Sequence, residues 1–286
     1  MTANPARPLR MPLLWFALAV IGALAGLYIL WLHLTTDPLV DVHAYYEAGA
    51  RLNAGQPLYP AAQDVNGPHA YFYPPLFAIL FRPLALLSFN AAAAIWEAVV
   101  VASFAVTIWW LGLRRPATWM AIGILGLPIG WSLAIGQAQV PLTLLTLIGA
   151  PWSIALAANV KLFPALITLW WIGRREWRKL GVFATCSAGF VLLQLVLAPQ
   201  ATFDFLGALT LNEVGAVRSI SPYALSPALW AVLVVLGAAL TLRVACTQWG
   251  WAAAVTLSVL ASPRLLVYML MTLIACVRRP DDARSG

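Results

Sequence analysis

Charge is what this sequence has least of. Charged side chains make up 9% of its 286 residues, where a water-soluble domain carries about 25%. Only 10 residues are acidic, 3 are histidine and 3 are cysteine. Cys186, Cys246 and Cys276 are odd in number and their spacing matches no metal motif, so the cysteines form neither a disulfide scaffold nor a zinc-binding motif. They read as small apolar packing residues.

What fills the chain is apolar. Hydrophobic residues reach 62%, with 14 Trp and 20 Pro, and apolar runs recur along the whole length. The composition specifies an all-α polytopic membrane protein, one transmembrane domain over 1–286, and excludes a cytosolic enzyme. The net charge of +7 is not a nucleic-acid footprint, because its basic residues sit in short clusters between apolar runs.

Those clusters predict a topology. Arg7 with Arg10, Arg114 with Arg115, Arg174 to Lys179, Arg243, and the tail with Arg278, Arg279 and Arg284 hold 12 of the 17 basic residues. If all lie on the cytoplasmic side, about eight spans connect them: 11–33, 91–113, 117–135, 138–173, 180–198, 227–243, 249–261 and 264–277. The first run is too long for a signal-peptide core and reads as a retained anchor, which leaves both termini cytoplasmic. Two segments remain outside, 34–90 and 199–226, and they carry six of the ten acidic residues.

The first outer segment has its own pattern. Val40 to Leu52 suits a short amphipathic helix closed by Asn53 and Gly55. Leu76 to Leu87 is apolar but interrupted by Arg82 and Pro83, which suits a helix lying at the interface. The segment 138–173 is too long for one crossing and contains Gly149, Pro151, Lys161 and Pro164. It predicts a span with a re-entrant helix pair, and broken backbone at membrane depth is tolerated where it lines a wet cavity.

The candidate chemistry gathers there. Asp41 starts the amphipathic helix with Tyr45 on its face, while His43 and Glu47 share the next face. A carboxylate at a helix start is favourable without any function, so a structural role stays open. Tyr71 and Tyr73, before Pro74 and Pro75, offer either a stacking surface or an interfacial aromatic belt. Gln137 and Gln139 are an amide pair at the outer end of two spans. Lys161 is the most informative: a lysine in an apolar segment costs about 2.5–3.5 kcal/mol unless water or an anion meets it. A phosphate would serve; snorkelling to an interface is the alternative. Arg264 and Arg218 could serve the same anion, and Glu97 could pair with Arg82.

The order of these features is recognisable: D-x-H-x-Y-Y from Asp41, L-x-x-G-x-P-L-Y over Leu52–Tyr59, Y-x-Y-P-P-L over Tyr71–Leu76, Gly136-Gln137, K-x-x-P over Lys161–Pro164, and Ala261-Ser-Pro263. It resembles glycosyltransferase family 87 (the DUF2029 group), GT-C-like membrane enzymes that include mycobacterial polyprenol-phosphate-mannose-dependent mannosyltransferases. The resemblance implies inverting transfer of a mannose-like hexose from a polyprenyl-phosphate donor to a lipid or glycan acceptor at the outer face. No metal or cofactor is implied beyond that donor. The base would be Asp41; Lys161 would lie near the donor phosphate. Two rival readings are a multi-span transporter or flippase and a non-catalytic assembly subunit. No internal repeat of the kind a transporter carries is visible.

Overall fold

The computed structural model describes residues 10–60, 67, 69–208 and 219–277, and within them every regular element is helical. In chain order these are α1 (Arg10–Thr36), α2 (Val40–Asn53), α3 (Pro75–Phe81), α4 (Phe89–Leu111), α5 (Pro116–Ile124), α6 (Gly126–Ala134), α7 (Gln139–Ile148), α8 (Pro151–Val160), α9 (Thr168–Gly173), α10 (Trp177–Leu197), α11 (Pro199–Ala208), α12 (Pro227–Val244) and α13 (Gly250–Leu260). Short 3₁₀ stretches at Leu84–Leu86, Phe163–Ile167 and Pro222–Ala224, and a longer one at Val267–Val277, join or follow them.

Four helices are long and apolar enough to cross a bilayer: α1, α4, α10 and α12. The pair α5 and α6 passes the same test only together, bent by 70°. The described residues therefore contain four or five such crossings by length and composition, where charge parity predicts eight spans. The physical reason is breakage. Gly123, Gly126 and Pro128 cluster at the break in 117–135, and Gly149, Pro151 and Pro164 divide 138–173 into α7, α8, a 3₁₀ turn and α9. A helix of 10 residues such as α7 is about 15 Å long, half of the ~30 Å hydrocarbon layer. The same holds for 249–261, which forms the 11-residue α13. The two expected elements of the first outer segment are present, as α2 and as α3 with its 3₁₀ extension.

Broken helices leave carbonyls that lipid cannot satisfy. Tryptophan indoles meet several of them. Trp96 donates to Gly136 O at 2.7 Å, Trp119 to Leu113 O at 2.8 Å, Trp170 to Ala245 O at 3.1 Å, Trp230 to Ala261 O at 3.1 Å and Trp251 to Ala275 O at 2.9 Å. Each acceptor lies at or near a helix end. Gln194 works in the same way at a helix start: its Oε1 accepts from Leu76 N at 3.1 Å, and its Nε2 donates to Asn159 Oδ1 at 3.2 Å.

The core surrounds α2. Val42, Tyr45, Ala48 and Gly49 recur at helical spacing and are buried. Tyr45 meets Phe77 at 4.7 Å between ring centroids, and Phe81 meets Trp96 at 4.9 Å. Aromatic pairs of this kind contribute about 0.5–1.5 kcal/mol beyond burial, and they fix α2 against α3 and α4.

At the periphery α1, α10 and α12 turn most of their apolar surface outward; only 11%, 6% and 6% of their apolar windows are buried. α1 docks through a seam of small residues. Gly22 and Gly26 lie directly against the backbones of Gly123, Gly126 and Gly130, so no Cβ fits between them. Gly126→Leu should therefore destabilise the fold by about 1–3 kcal/mol, the usual penalty of overpacking. Gly189→Leu, on α10 with nothing within 4 Å of its Cβ direction, should not. Thermal unfolding midpoints in detergent distinguish the two.

Candidate functional site

The local fold brings three ionisable groups to one cavity. Asp41 occupies the first turn of α2, two residues after Leu39 reverses the chain in a left-handed conformation (φ 59°). Lys161 ends α8 in an extended conformation, φ −149° and ψ 117°, where the 138–173 segment breaks. Arg264 follows α13 in the turn that leads to the 3₁₀ stretch. All three line a cavity of about 550 Å³, a size typical of small-molecule sites. Its wall is otherwise largely aromatic and apolar, with Tyr59, Phe72, Tyr73, Phe205, Trp230 and Tyr268.

Gln137 organises the acidic side. It is 1% exposed, and its Oε1 accepts from Tyr45 OH at 2.6 Å and from Tyr73 OH at 2.7 Å. Two phenolic donors on the carbonyl leave the amide nitrogen to face Asp41, and Gln137 Nε2 donates to Asp41 Oδ2. The preceding residue explains the placement. Gly136 has φ +66°, and a Cβ there would collide with Val42 and Glu97. Its carbonyl is the one held by Trp96. Burial pushes the Asp41 carboxyl up to about 7, although Lys161, Arg264 and the Gln137 hydrogen bond each pull it down.

The cationic side has its own scaffold. Lys161 Nζ donates to Gln139 Oε1 at 2.8 Å, and Gln139 Nε2 donates to Thr272 Oγ1 at 2.6 Å. Thr143 joins through its hydroxyl, 2.8 Å from Thr272 Oγ1. An ammonium has three donors. The ammonium also lies 5.8 Å from the Tyr73 ring centroid and 5.7 Å from that of Tyr268. The Arg264 guanidinium stacks over Phe72 at 4.0 Å, a cation–π contact.

The sequence-predicted residues divide into groups. Asp41, Tyr45, Tyr73, Lys161 and Arg264 line the cavity, and Gln137 lies directly behind Asp41. Tyr71 is 1% exposed and donates to Pro74 O at 3.0 Å, below the cavity wall rather than in it. His43 and Glu47 do not line the cavity, since the turn of α2 carries them to another face. Arg218 lies outside the described residues. The expected Glu97–Arg82 pair does not form. Arg82 Nε donates instead to Asn53 Oδ1 at 3.0 Å, and Glu97 Oε1 has no hydrogen-bond partner among the described residues. Sequence reasoning passed over Phe72, Phe205 and Trp230, which carry no signal of their own in an aromatic-rich chain. It met Tyr59 without assigning it a role.

Asp41 is the one carboxylate among the described residues of the cavity wall. The described wall thus offers one carboxyl group, two basic side chains and several aromatic rings.

Residues 71–285 match the profile of glycosyltransferase family 87. A polyprenol-phosphate-mannose-dependent alpha-(1-2)-phosphatidylinositol pentamannoside mannosyltransferase from Mycolicibacterium smegmatis is 33% identical over 192 residues, 60% of this chain and 45% of its own length. Its namesake from Mycobacterium tuberculosis is 29% identical, over 61% of this chain and 45% of its own. A phosphatidylinositol mannoside mannosyltransferase of the same dependence, also from Mycobacterium tuberculosis, is 26% identical over 67% of this chain and 53% of its own. The chain thus spans about half the length of the curated relatives it matches. No solved structure matches it. Gln137, Lys161 and Arg264 fall inside the matched stretch, Asp41 precedes it, and with 71–285 accounted for the chain belongs to glycosyltransferase family 87.

Proposed function

We propose that this chain transfers a hexose of the mannose type from a polyprenyl-phosphate donor to a lipid-anchored or glycan acceptor at the extracytoplasmic face of the membrane. The observation that carries the reading is the single cavity shared by Asp41, Lys161 and Arg264. A lipid-phosphate sugar brings its own leaving group, so the site needs no nucleotide-binding fold. It needs cations where the phosphate departs and a base where the acceptor attacks.

The roles follow from position. Lys161 and Arg264 stabilise the charge that grows on the phosphate as the C1–O bond breaks. Lys161 arrives pre-aimed, because Gln139 holds its ammonium. Asp41 accepts the proton of the acceptor hydroxyl while that oxygen bonds to C1 from the opposite side, which inverts the anomeric centre. Gln137 occupies Oδ2 and leaves Oδ1 for this task. The aromatic wall positions the sugar, and the isoprenoid chain runs into the bilayer. The relatives named above, which are polyprenol-phosphate-mannose-dependent, support this class of donor. No metal enters the mechanism.

Purified protein in liposomes, given a synthetic polyprenyl-phosphate mannose and a glycolipid acceptor, tests the reading by mass spectrometry of the product. Asp41→Asn should lose about 10²–10⁴ in rate, the usual worth of a general base, while still binding donor. Wild-type turnover by that variant would remove Asp41 from the mechanism.

The pH profile gives a second check. A base must be ionised, and burial pushes this carboxyl up to about 7. The rate should fall about tenfold per unit as pH drops below that value. Gln137→Ala removes a hydrogen bond that lowers the Asp41 pKa, so the acidic limb should move to higher pH. Infrared pH-difference spectra, with the carboxyl band assigned by its loss in Asp41→Asn, read the same shift without turnover.

A further inference from the structure

Outside the cavity, one cluster of ligating side chains stands unused. His43 and Glu47 are four residues apart on α2 and so project from one face. His69, close in sequence to Tyr71, comes to meet them. The three offer ligand atoms that all lie within 4.8 Å of one another. His69 Nδ1 is 2.7 Å from Glu47 Oε1. The His43 ring is held flat between Phe89, at 3.7 Å between centroids, and His69, at 5.1 Å with an interplanar angle of 4°.

We propose that His43, Glu47 and His69 form a binding site for one divalent transition-metal ion of the zinc class. Two imidazoles and a carboxylate are the donor set such an ion takes, with a fourth position left to water. Bonds of about 2.0–2.2 Å hold tetrahedral ligands about 3.3–3.6 Å apart, so a modest closure of the three side chains completes the site. Arg51 Nη2 approaches Glu47 Oε2 at 3.8 Å, which leaves Oε1 for the metal. The side chains of His69 and Glu47 are 43% and 37% exposed, so an ion reaches them from water without entering the cavity. The consequence is mechanical. Gly67 and Ala70 flank His69 and line the cavity, and α2 carries Asp41. A bound ion ties that rim to the helix that bears the carboxylate. The ion takes no part in the transfer itself.

The test uses the full chain in detergent, stripped with a chelator and titrated with Co²⁺ while its visible d–d absorption is recorded, then displaced with Zn²⁺. One ion per chain should bind. His43→Ala and His69→Gln should each weaken binding more than tenfold, since even outer-shell partners of metal ligands are worth 10–100-fold, and Asp41→Asn should bind as wild type does. His69 is exposed, so His69→Gln folds normally and keeps the test decisive. Absence of saturable Co²⁺ binding in the wild type, or undiminished binding in His69→Gln, overturns the site. Neither readout depends on glycosyl transfer, so the metal site and the proposed activity stand or fall separately.

Discussion

The site depends on the orientation of one amide. Gln137 is buried where two phenols, Tyr45 and Tyr73, both require an acceptor. Its carbonyl serves them, and its nitrogen turns to Asp41. An inverted amide would set two donors against two donors and leave the carboxylate facing an oxygen, a double loss in a low-dielectric wall. Four residues from three different stretches of chain are thereby locked into one geometry. The lock extends backward through the Gly136 carbonyl to Trp96, and through Val42 to the packed face of α2.

A second constraint is the need to break helices inside an apolar protein. The breaks near Leu125, Gly149 and Lys161 are what bring polar groups together between short helices. Each break exposes backbone carbonyls or amides, and lipid offers nothing to bind them. Trp96, Trp119, Trp170, Trp230, Trp251 and the Gln194 amide supply that partner from neighbouring elements. Part of the chain's unusual tryptophan content is thus explained by hydrogen bonding as well as by membrane-surface preference. The indole brings one donor at the end of a large apolar body, which suits a carbonyl stranded in such surroundings.

How much of this was legible before the coordinates follows from cost. Lys161 was conspicuous because a charge in apolar sequence is expensive, Asp41 because it starts the helix of the first outer segment, and helical angles separated Asp41 and Tyr45 from His43 and Glu47. The amphipathic α2 was legible through its apolar and aromatic positions, Val42, Tyr45, Tyr46, Ala50 and Leu52. The aromatic wall was hidden, because Phe205 and Trp230 look like any other membrane-embedded ring until tertiary structure turns them inward. Helix bending was harder to read. Basic clusters report which side a loop lies on, but not whether the path between them is one straight helix or two bent pieces. Gly123, Gly126 and Pro128 did carry that signal. The partnership of Lys161 with Gln139 was out of reach, since 22 residues separate them and an amide announces no charge preference.

The length of α1 sets a final condition. Its apolar stretch of 24 residues extends about 36 Å at about 1.5 Å per residue, several ångströms more than the hydrocarbon layer it crosses. It must lean along its glycine seam or lift its far end. Only Asp37, Pro38 and Leu39 separate that end from α2. Any lift is therefore handed to the helix that bears Asp41, and the depth of the carboxylate becomes coupled to the thickness of the surrounding lipid.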